Sequence, residues 1–373
     1  MVRLLALVQK GPDISPGQRF RLEQWAPHLA RDHGIELVFE AFESDELTRI
    51  IYRRGHTVRK VRLVLANAVR RWGARKRAAH YDGVIVYREA MLVGGAWLES
   101  QLTARGIPWI LDFDDAIWAW RTSSSPNGLM SLAKAPWKVP RLCRLASAVT
   151  VGNEYLASYA RRHNENVFIV RTSIDTERYP CSPPPPADAP FTVLWTGTQS
   201  TMPHLESIRP ALVALGARVR TRLRVVCDVA PSPFPGLEVE YVRWSPATEA
   251  VDLAPAHVGI MPLPDTEFTR GKCGAKAIQC MAIGRPVVLT PIGINQDIVR
   301  DGVNGLWAST QQEWAAQLER LARDPALRAR LGAAARETVV RGYTAQASAA
   351  AFARVVGRVI ARLSSASSAA GSS

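Results

Sequence analysis

One stretch, Thr269–Thr290 (TRGKCGAKAIQCMAIGRPVVLT), restricts the fold of this chain more than any other. Ala275, Ile278, Met281 and Ala282 recur at helical spacing on one face, with Lys272, Lys276 and Gln279 opposite. Gly284 is a helix stop and Pro286 prevents continuation. Val287-Val288-Leu289 then makes a strand with no polar face. Such a strand needs cover on both sides, as in a parallel sheet packed between helices.

The charges in this stretch are misplaced for an ordinary helix. Arg270, Lys272 and Lys276 crowd an N-terminus that the macrodipole already makes positive. Lys272 and Lys276 are one helical turn apart, a repulsion of about 0.2–0.5 kcal/mol. An anion held there turns both penalties into attraction, and Gly271, Cys273 and Gly274 are small enough to let it reach the backbone. A solvated basic face is the plain alternative.

The same alternation of strand, loop and helix runs through the chain. Val2–Val8, Ile35–Phe39, Asp82–Tyr87, Ile107–Leu111, Ala148–Val151 and Val167–Val170 read as strands of one parallel sheet. Phe191–Trp195, Arg224–Asp228, Val239–Tyr241, Val258–Leu263 and Val287–Leu289 read as strands of a second. A length of 373 residues, 47% of them apolar, supports two domains, each with its own core. The expected division is 1–178, a proline-rich linker at 179–190, and 191–342. A helix at 343–363 and a disordered Ser/Ala/Gly-rich tail at 364–373 follow.

Loops at the carboxyl ends of such strands bind ligands. The loop Gln9–Gln18 leads to Arg19 and Arg21, cations at a helix start that suit an anion or simply solvent. Asp112-Phe113-Asp114-Asp115 lies at another strand end. Asp112 and Asp114 fit a divalent-cation clamp. They equally fit sugar-hydroxyl binding or general-base duty, and Asp114 or Asp115 fits a helix N-cap. Ile117, Trp118 and Trp120 follow, suited to a sugar face or a core. Arg121–Gly128 (RTSSSPNG) reads as a flexible polar loop able to act as a lid. In the second half, Thr196–Thr201 (TGTQST) places hydroxyls and a glycine between strand and helix as a phosphate nest, although neither GxxxxGK[ST] nor GxGxxG is present.

The net charge of +14 calls for an acidic partner. Arg53–Arg77 holds ten of the cations and no acid, with Val58, Val61, Leu65, Ala68, Val69 and Trp72 interleaved. That is a basic amphipathic helix suited to an anionic membrane surface. No RNP, KH or aromatic-platform motif supports nucleic acid. The five cysteines form no CxxC pair, so zinc and a disulfide framework are not expected. Cys273, among cations at a helix start, is either a small residue chosen for fit or a thiol with a lowered pKa. The N-terminal apolar run is too short for a secretory leader, and no run is long enough to span a bilayer.

Gly271–Val288 (GKCGAKAIQCMAIGRPVV) resembles the signature of the retaining, GT-B-fold glycosyltransferases of family 4. Those carry a Glu-x7-Glu element followed by Met-Ala-x-Gly-x-Pro-Val-Val. GINQDIV at 293–299, DGVNG at 301–305 and the Thr196-Gly197-Thr198 loop match as well. Ser15, Arg19, Arg21 and Asp112–Asp115 match more loosely.

The resemblance implies two Rossmann-like domains facing each other across a cleft, with the C-terminal helix packing back on the first. It implies transfer of a sugar from a nucleotide-diphosphate sugar, with retention, to a lipid-linked or polysaccharide acceptor. The setting is cell-surface glycan, capsule or lipopolysaccharide assembly, cytoplasmic and peripheral on the inner face of the plasma membrane. Lys276 and Lys272 are then catalytic, stabilising the leaving diphosphate, with Asp114 and Asp115 orienting sugar or acceptor. Gly197, Thr198, Ser200, Arg243, Asp265, Cys273, Gly274 and Gln279 line the donor. Ser15, Arg19, Arg21, Glu89 and Trp118 line the acceptor side. No metal or further cofactor is implied. The family's two glutamates fall here at Gly271 and Gln279. Gln279 can still bond ribose hydroxyls, whereas Gly271 cannot replace a carboxylate. The contact to the donor sugar then falls to Asp265, Glu267 or the amides of Cys273 and Gly274. A non-catalytic nucleotide-sugar or polyanion binder on the same fold is the alternative.

Overall fold

The computed structural model describes residues 1–51, 53, 55–119 and 135–370, with backbone alone from 362. Trp120 and the expected lid Arg121–Gly128 lie outside the described residues, as does the end of the tail, 371–373. The chain forms two compact units, one from residues 1–172 and 345–373, the other from 173–344.

Each unit is built on six parallel strands. In unit 1 these are β1 (Val2–Val8), β2 (Ile35–Ala41), β3 (Gly83–Tyr87), β4 (Trp109–Phe113), β5 (Ala148–Val151) and β6 (Val167–Ile169), in the order β2-β1-β3-β4-β5-β6. In unit 2 they are β7 (Phe191–Thr196), β8 (Thr221–Cys227), β9 (Glu238–Arg243), β10 (Val258–Met261), β11 (Val287–Leu289) and β12 (Leu306–Trp307), in the order β12-β11-β10-β7-β8-β9. The central strands are apolar because helices cover both faces: Leu4–Val8 and Val193–Trp195 are all buried. Both units are Rossmann-like, as the strand pattern predicts.

In unit 1, Trp25 and α1 (Ala26–His33) pack beside the sheet together with the last helix. α2 (Thr57–Trp72) is the basic helix, and α3 (Glu154–Ala160) follows β5. In unit 2, α4 (Ala275–Ala282) links β10 to β11, and α5 (Pro325–Gly342) is its last long helix. α6 (Ala345–Ala370) then returns to unit 1, where Ala349, Phe352, Val355 and Val356 join the core with Leu4, Ala6 and Trp25. Phe352 and Trp25 rings lie 5.7 Å apart.

Three sequence expectations need correction. The proline-rich stretch is part of unit 2 and not a boundary: Tyr179 is fully buried, and Arg285 donates to the carbonyls of Ser182 and Pro183. The backbone at 364–370 is helical rather than disordered, since its alanines extend a helix already nucleated on the core. Asp112 is inside β4, not beyond it, which accounts for its complete burial.

α2 is turned inside out. Val58, Val61, Leu65 and Val69 are 84, 50, 58 and 76% exposed, while Lys60, Asn67 and Arg71 are buried. The buried polar groups are held from behind. Lys60 Nζ donates to the Arg53 carbonyl, Asn67 Nδ2 to Ser44 Oγ at 3.3 Å, and Arg71 Nη2 to the Val8 and Glu40 carbonyls at 2.9 and 2.7 Å. Among the described residues, no helix is long and apolar enough to cross a membrane.

Candidate active site

In unit 2 the chain steps from β7 to β8 and β9 on one side, then returns to β10 on the other. Ligands of doubly wound sheets bind at the carboxyl ends of the strands that flank such a reversal. Here those ends carry the Thr196–Thr201 loop and the segment that enters α4. Lys276, in the first turn of α4, joins them: its Nζ donates to Thr201 Oγ1 at 3.1 Å and lies 4.3 Å over the Trp195 ring. Lys272 Nζ lies 4.3 Å over Phe268.

Close packing at these loops requires two glycines. A Cβ on Gly197 would lie 2.4 Å from the Trp195 ring, and one on Gly274, whose φ is +72°, would lie 2.2 Å from Ile298 Cδ1. Gly274 precedes α4 without a side-chain cap, so the first amides of the helix have no partner from that residue. Burial, then the charge of Lys272, lowers the Lys276 pKa to about 7. Burial, then Lys276 and Lys272, lowers His204 to about 4. Gln279 is buried, and its Nε2 has no hydrogen-bond partner among the described residues.

Several expected donor contacts are already engaged. The Gly197 amide donates to the Val226 carbonyl at 3.0 Å and the Thr198 amide to Thr201 Oγ1 at 3.1 Å, so this pair does not form an open nest. Thr198 Oγ1 and Ser200 Oγ are 3.0 Å apart. Cys273 is buried, its Sγ 3.7 Å from the Gly271 carbonyl. Asp265 is exposed and accepts from Arg270 at 2.6 and 2.9 Å. Arg243 ends the edge strand β9, two strands from β7.

The strand order of unit 1 reverses between β1 and β3. At that edge Asp114 Oδ1 accepts from Tyr87 Oη at 2.8 Å and from Arg88 Nε and Nη2 at 3.0 and 2.7 Å. Arg88 Nη2 also reaches Asp115 Oδ2 at 2.6 Å. Burial works to raise the Asp114 carboxyl, but Arg88 and Arg21 outweigh it and leave the pKa below its ordinary value. Arg88 has φ +64°, a conformation L-residues rarely take and one that concentrates at functional sites. Gly17 closes over the cluster: a Cβ there would lie 2.3 Å from Tyr87 Oη and 2.6 Å from Asp114 Oδ2.

Arg19 and Arg21 do not line an acceptor surface, because both are buried. Arg21 donates to both oxygens of Asp112, at 3.1 and 2.5 Å, and to the Val170 carbonyl. Thr150 Oγ1 adds a bond to Asp112 at 2.6 Å. The acidic edge is therefore neutralised by arginines, which overturns the reading of Asp112 and Asp114 as a cation clamp. Glu89 accepts from Lys138 at 2.6 Å and from Gln9 Nε2 at 3.1 Å. Trp118 stacks on Tyr159 of α3 at 3.7 Å, so one of its faces is taken by protein. Ser15 is half-buried and its carbonyl caps Arg19. The sequence reading did not single out Tyr87, Arg88, Gly17 or Trp195. An arginine directly after a buried strand was the available signal for Arg88.

Comparison with known proteins bears on the fold. Residues 196–324 match the family described as glycosyl transferases group 1. No curated protein matches the sequence. Among solved structures, sucrose-phosphate synthase from Thermosynechococcus elongatus is similar over 97% of this chain and 100% of its own (TM-score 0.69, 16% identity). Anabaena Alr3699/HepE in complex with UDP and glucose is similar over 96 and 100% (TM-score 0.67, 15% identity). The lipopolysaccharide outer core galactosyltransferase WaaB is similar over 96 and 99% (TM-score 0.62, 11% identity). At these identities the likeness is one of fold, two Rossmann-like domains as in GT-B proteins.

Proposed function

We propose that this chain moves a sugar from a nucleotide-diphosphate sugar to a lipid-linked or polysaccharide acceptor, with retention of anomeric configuration. The observation that carries the reading is Lys276, which bridges the loops after β7 and β10 where a doubly wound sheet takes its ligand. The match of 196–324 to glycosyl transferases group 1 and the UDP bound to the Anabaena neighbour support a diphosphate at that point.

Breaking the anomeric bond leaves an added negative charge on the diphosphate. Lys276, Lys272 and the uncapped start of α4 are fixed in place before that charge develops, so their attraction is greatest in the transition state. The amides at the start of α4, rather than those of the Thr196–Thr201 loop, are the backbone donors for it. Gln279 Nε2 meets a ribose hydroxyl. The lysines do the work a divalent cation does elsewhere, so no metal is required. Asp114 stays ionised beside Arg88 and is a weak base; it serves as a fixed hydrogen-bond acceptor for sugar or acceptor hydroxyls. The acceptor's proton then passes to the departing phosphate oxygen, as the resemblance to retaining transferases implies.

The exposed valine and leucine stripe of α2 and its arginines suit an anionic lipid surface, which supports a peripheral position on the inner face of the plasma membrane and a membrane-linked acceptor. Gly271, without a carboxylate for the donor sugar, favours the second reading, a nucleotide-sugar binder without turnover. Two measurements separate them. A nucleotide-sugar panel in thermal-shift format finds the donor, since a ligand of the folded state raises Tm. Turnover of that donor in chelator, lowered by about a hundredfold in Lys276→Ala with its fold intact, supports transfer. Binding without turnover of any acceptor supports the second reading.

A further inference from the structure

We infer that the donor's diphosphate is bound together with a proton taken up at Lys276. The inference rests on the proposed donor site and deepens it by fixing the protonation state of the empty and occupied cradle.

The surroundings of Lys276 are the ground for it. From β7 and its loop it meets the Trp195 ring at 4.3 Å and Thr201 Oγ1 at 3.1 Å, with His204 beyond. On its own segment stand Lys272 and the Cys280 thiol, and at the end of β8 the Cys227 thiol. Asp228, also past β8, already accepts from the Gln199 amide at 2.7 Å, and Asp265, past β10, accepts from Arg270. Glu267 lies in the short helix Glu267–Arg270. No carboxylate contacts Lys276 among the described residues. A hydroxyl and an indole face are its attractive partners, and a second lysine opposes its charge. Cation–π contact offsets only part of that cost.

An empty cradle of this kind favours the neutral amine near pH 8, and burial with Lys272 accounts for a free pKa of about 7. A diphosphate beside the same nitrogen reverses the balance. Opposite charge raises the pKa, the amine takes a proton from solvent, and the ammonium faces the phosphates. The sign follows from linkage. Below pH 7 the free protein already carries the proton, and affinity is flat. Above pH 7 each bound donor must bring a proton in, so Kd rises by about tenfold per pH unit until the bound pKa is reached. A nucleotide sugar has no phosphate ionisation in this range, so the dependence belongs to the protein.

Calorimetry tests this on the full chain with UDP-glucose, ADP-glucose and GDP-mannose, at pH 6 and pH 8. At each pH two buffers of different ionisation enthalpy are used, and none is phosphate. The slope of binding heat against buffer enthalpy counts protons. The expected uptake is about 0.9 proton at pH 8 and about 0.1 at pH 6, from a free pKa near 7. Lys276→Arg, charged at both values, is expected to bind with no uptake at pH 8, and His204→Gln to behave as the native chain. Donor binding with no proton uptake at pH 8 overturns the inference and leaves the donor site standing. So does equal uptake in Lys276→Arg. Failure of all three donors to bind at either pH overturns both.

Discussion

Lys276 and Asp114 show how two ionisable side chains acquire opposite electrostatic histories. Lys276 is placed among neutral and like-charged groups and is poised to lose its proton. Asp114 is placed between an arginine and a phenol and is kept ionised. The position of the lysine was legible in the sequence, because the helical spacing of Ile278, Met281 and Ala282 puts Lys276 near the start of α4. The role of the aspartate was not, because its neutralising partner Arg88 is 26 residues away in sequence. Gly17 was illegible for a related reason: nothing local shows that Tyr87 and Asp114 fill the space a side chain needs. Gly17→Ala is therefore expected to lower stability by about 1–3 kcal/mol through overpacking. Chemical denaturation checks the stability. A midpoint equal to the native chain's would mean the cluster yields freely.

At the scale of elements, α4 stops where its sequence pattern predicts, at Gly284, whose φ is +79°, but its expected polar face is not kept: Lys272 precedes the helix and Gln279 is buried beside Ile278 and Met281. α2 shares the amphipathic pattern but presents its apolar stripe outward. Periodicity alone could not assign that polarity, since it depends on the carbonyls of Val8, Glu40 and Arg53 waiting on the inner side. If the stripe seats on lipid, Val61→Asp with Leu65→Asp abolishes flotation with vesicles containing anionic lipid and leaves Tm nearly unchanged, since both residues are at least half exposed. Retained flotation, or a large fall in Tm, would speak against that role.

For the whole molecule, the alternation of strands and helices was enough to read two parallel sheets. The division between the units was not, because the prolines that suggested a linker are tied down by Arg285. α6 shows what a sequence-local reading misses: a segment that follows unit 2 completes the core of unit 1. Deleting 345–373 is expected to make residues 1–172 protease-sensitive by exposing Leu4, Ala6 and Trp25, and limited proteolysis checks it. The central claim is that Lys276 and its neighbours hold a nucleotide diphosphate without metal. Its most direct test is equilibrium binding of the nucleotide-sugar panel at pH 6.5 in chelator, to the native chain and to Lys276→Ala. The account predicts saturable binding of at least one donor, weakened by about a hundredfold in the variant. Binding only on addition of a divalent cation, or equal affinity in the variant, would contradict it.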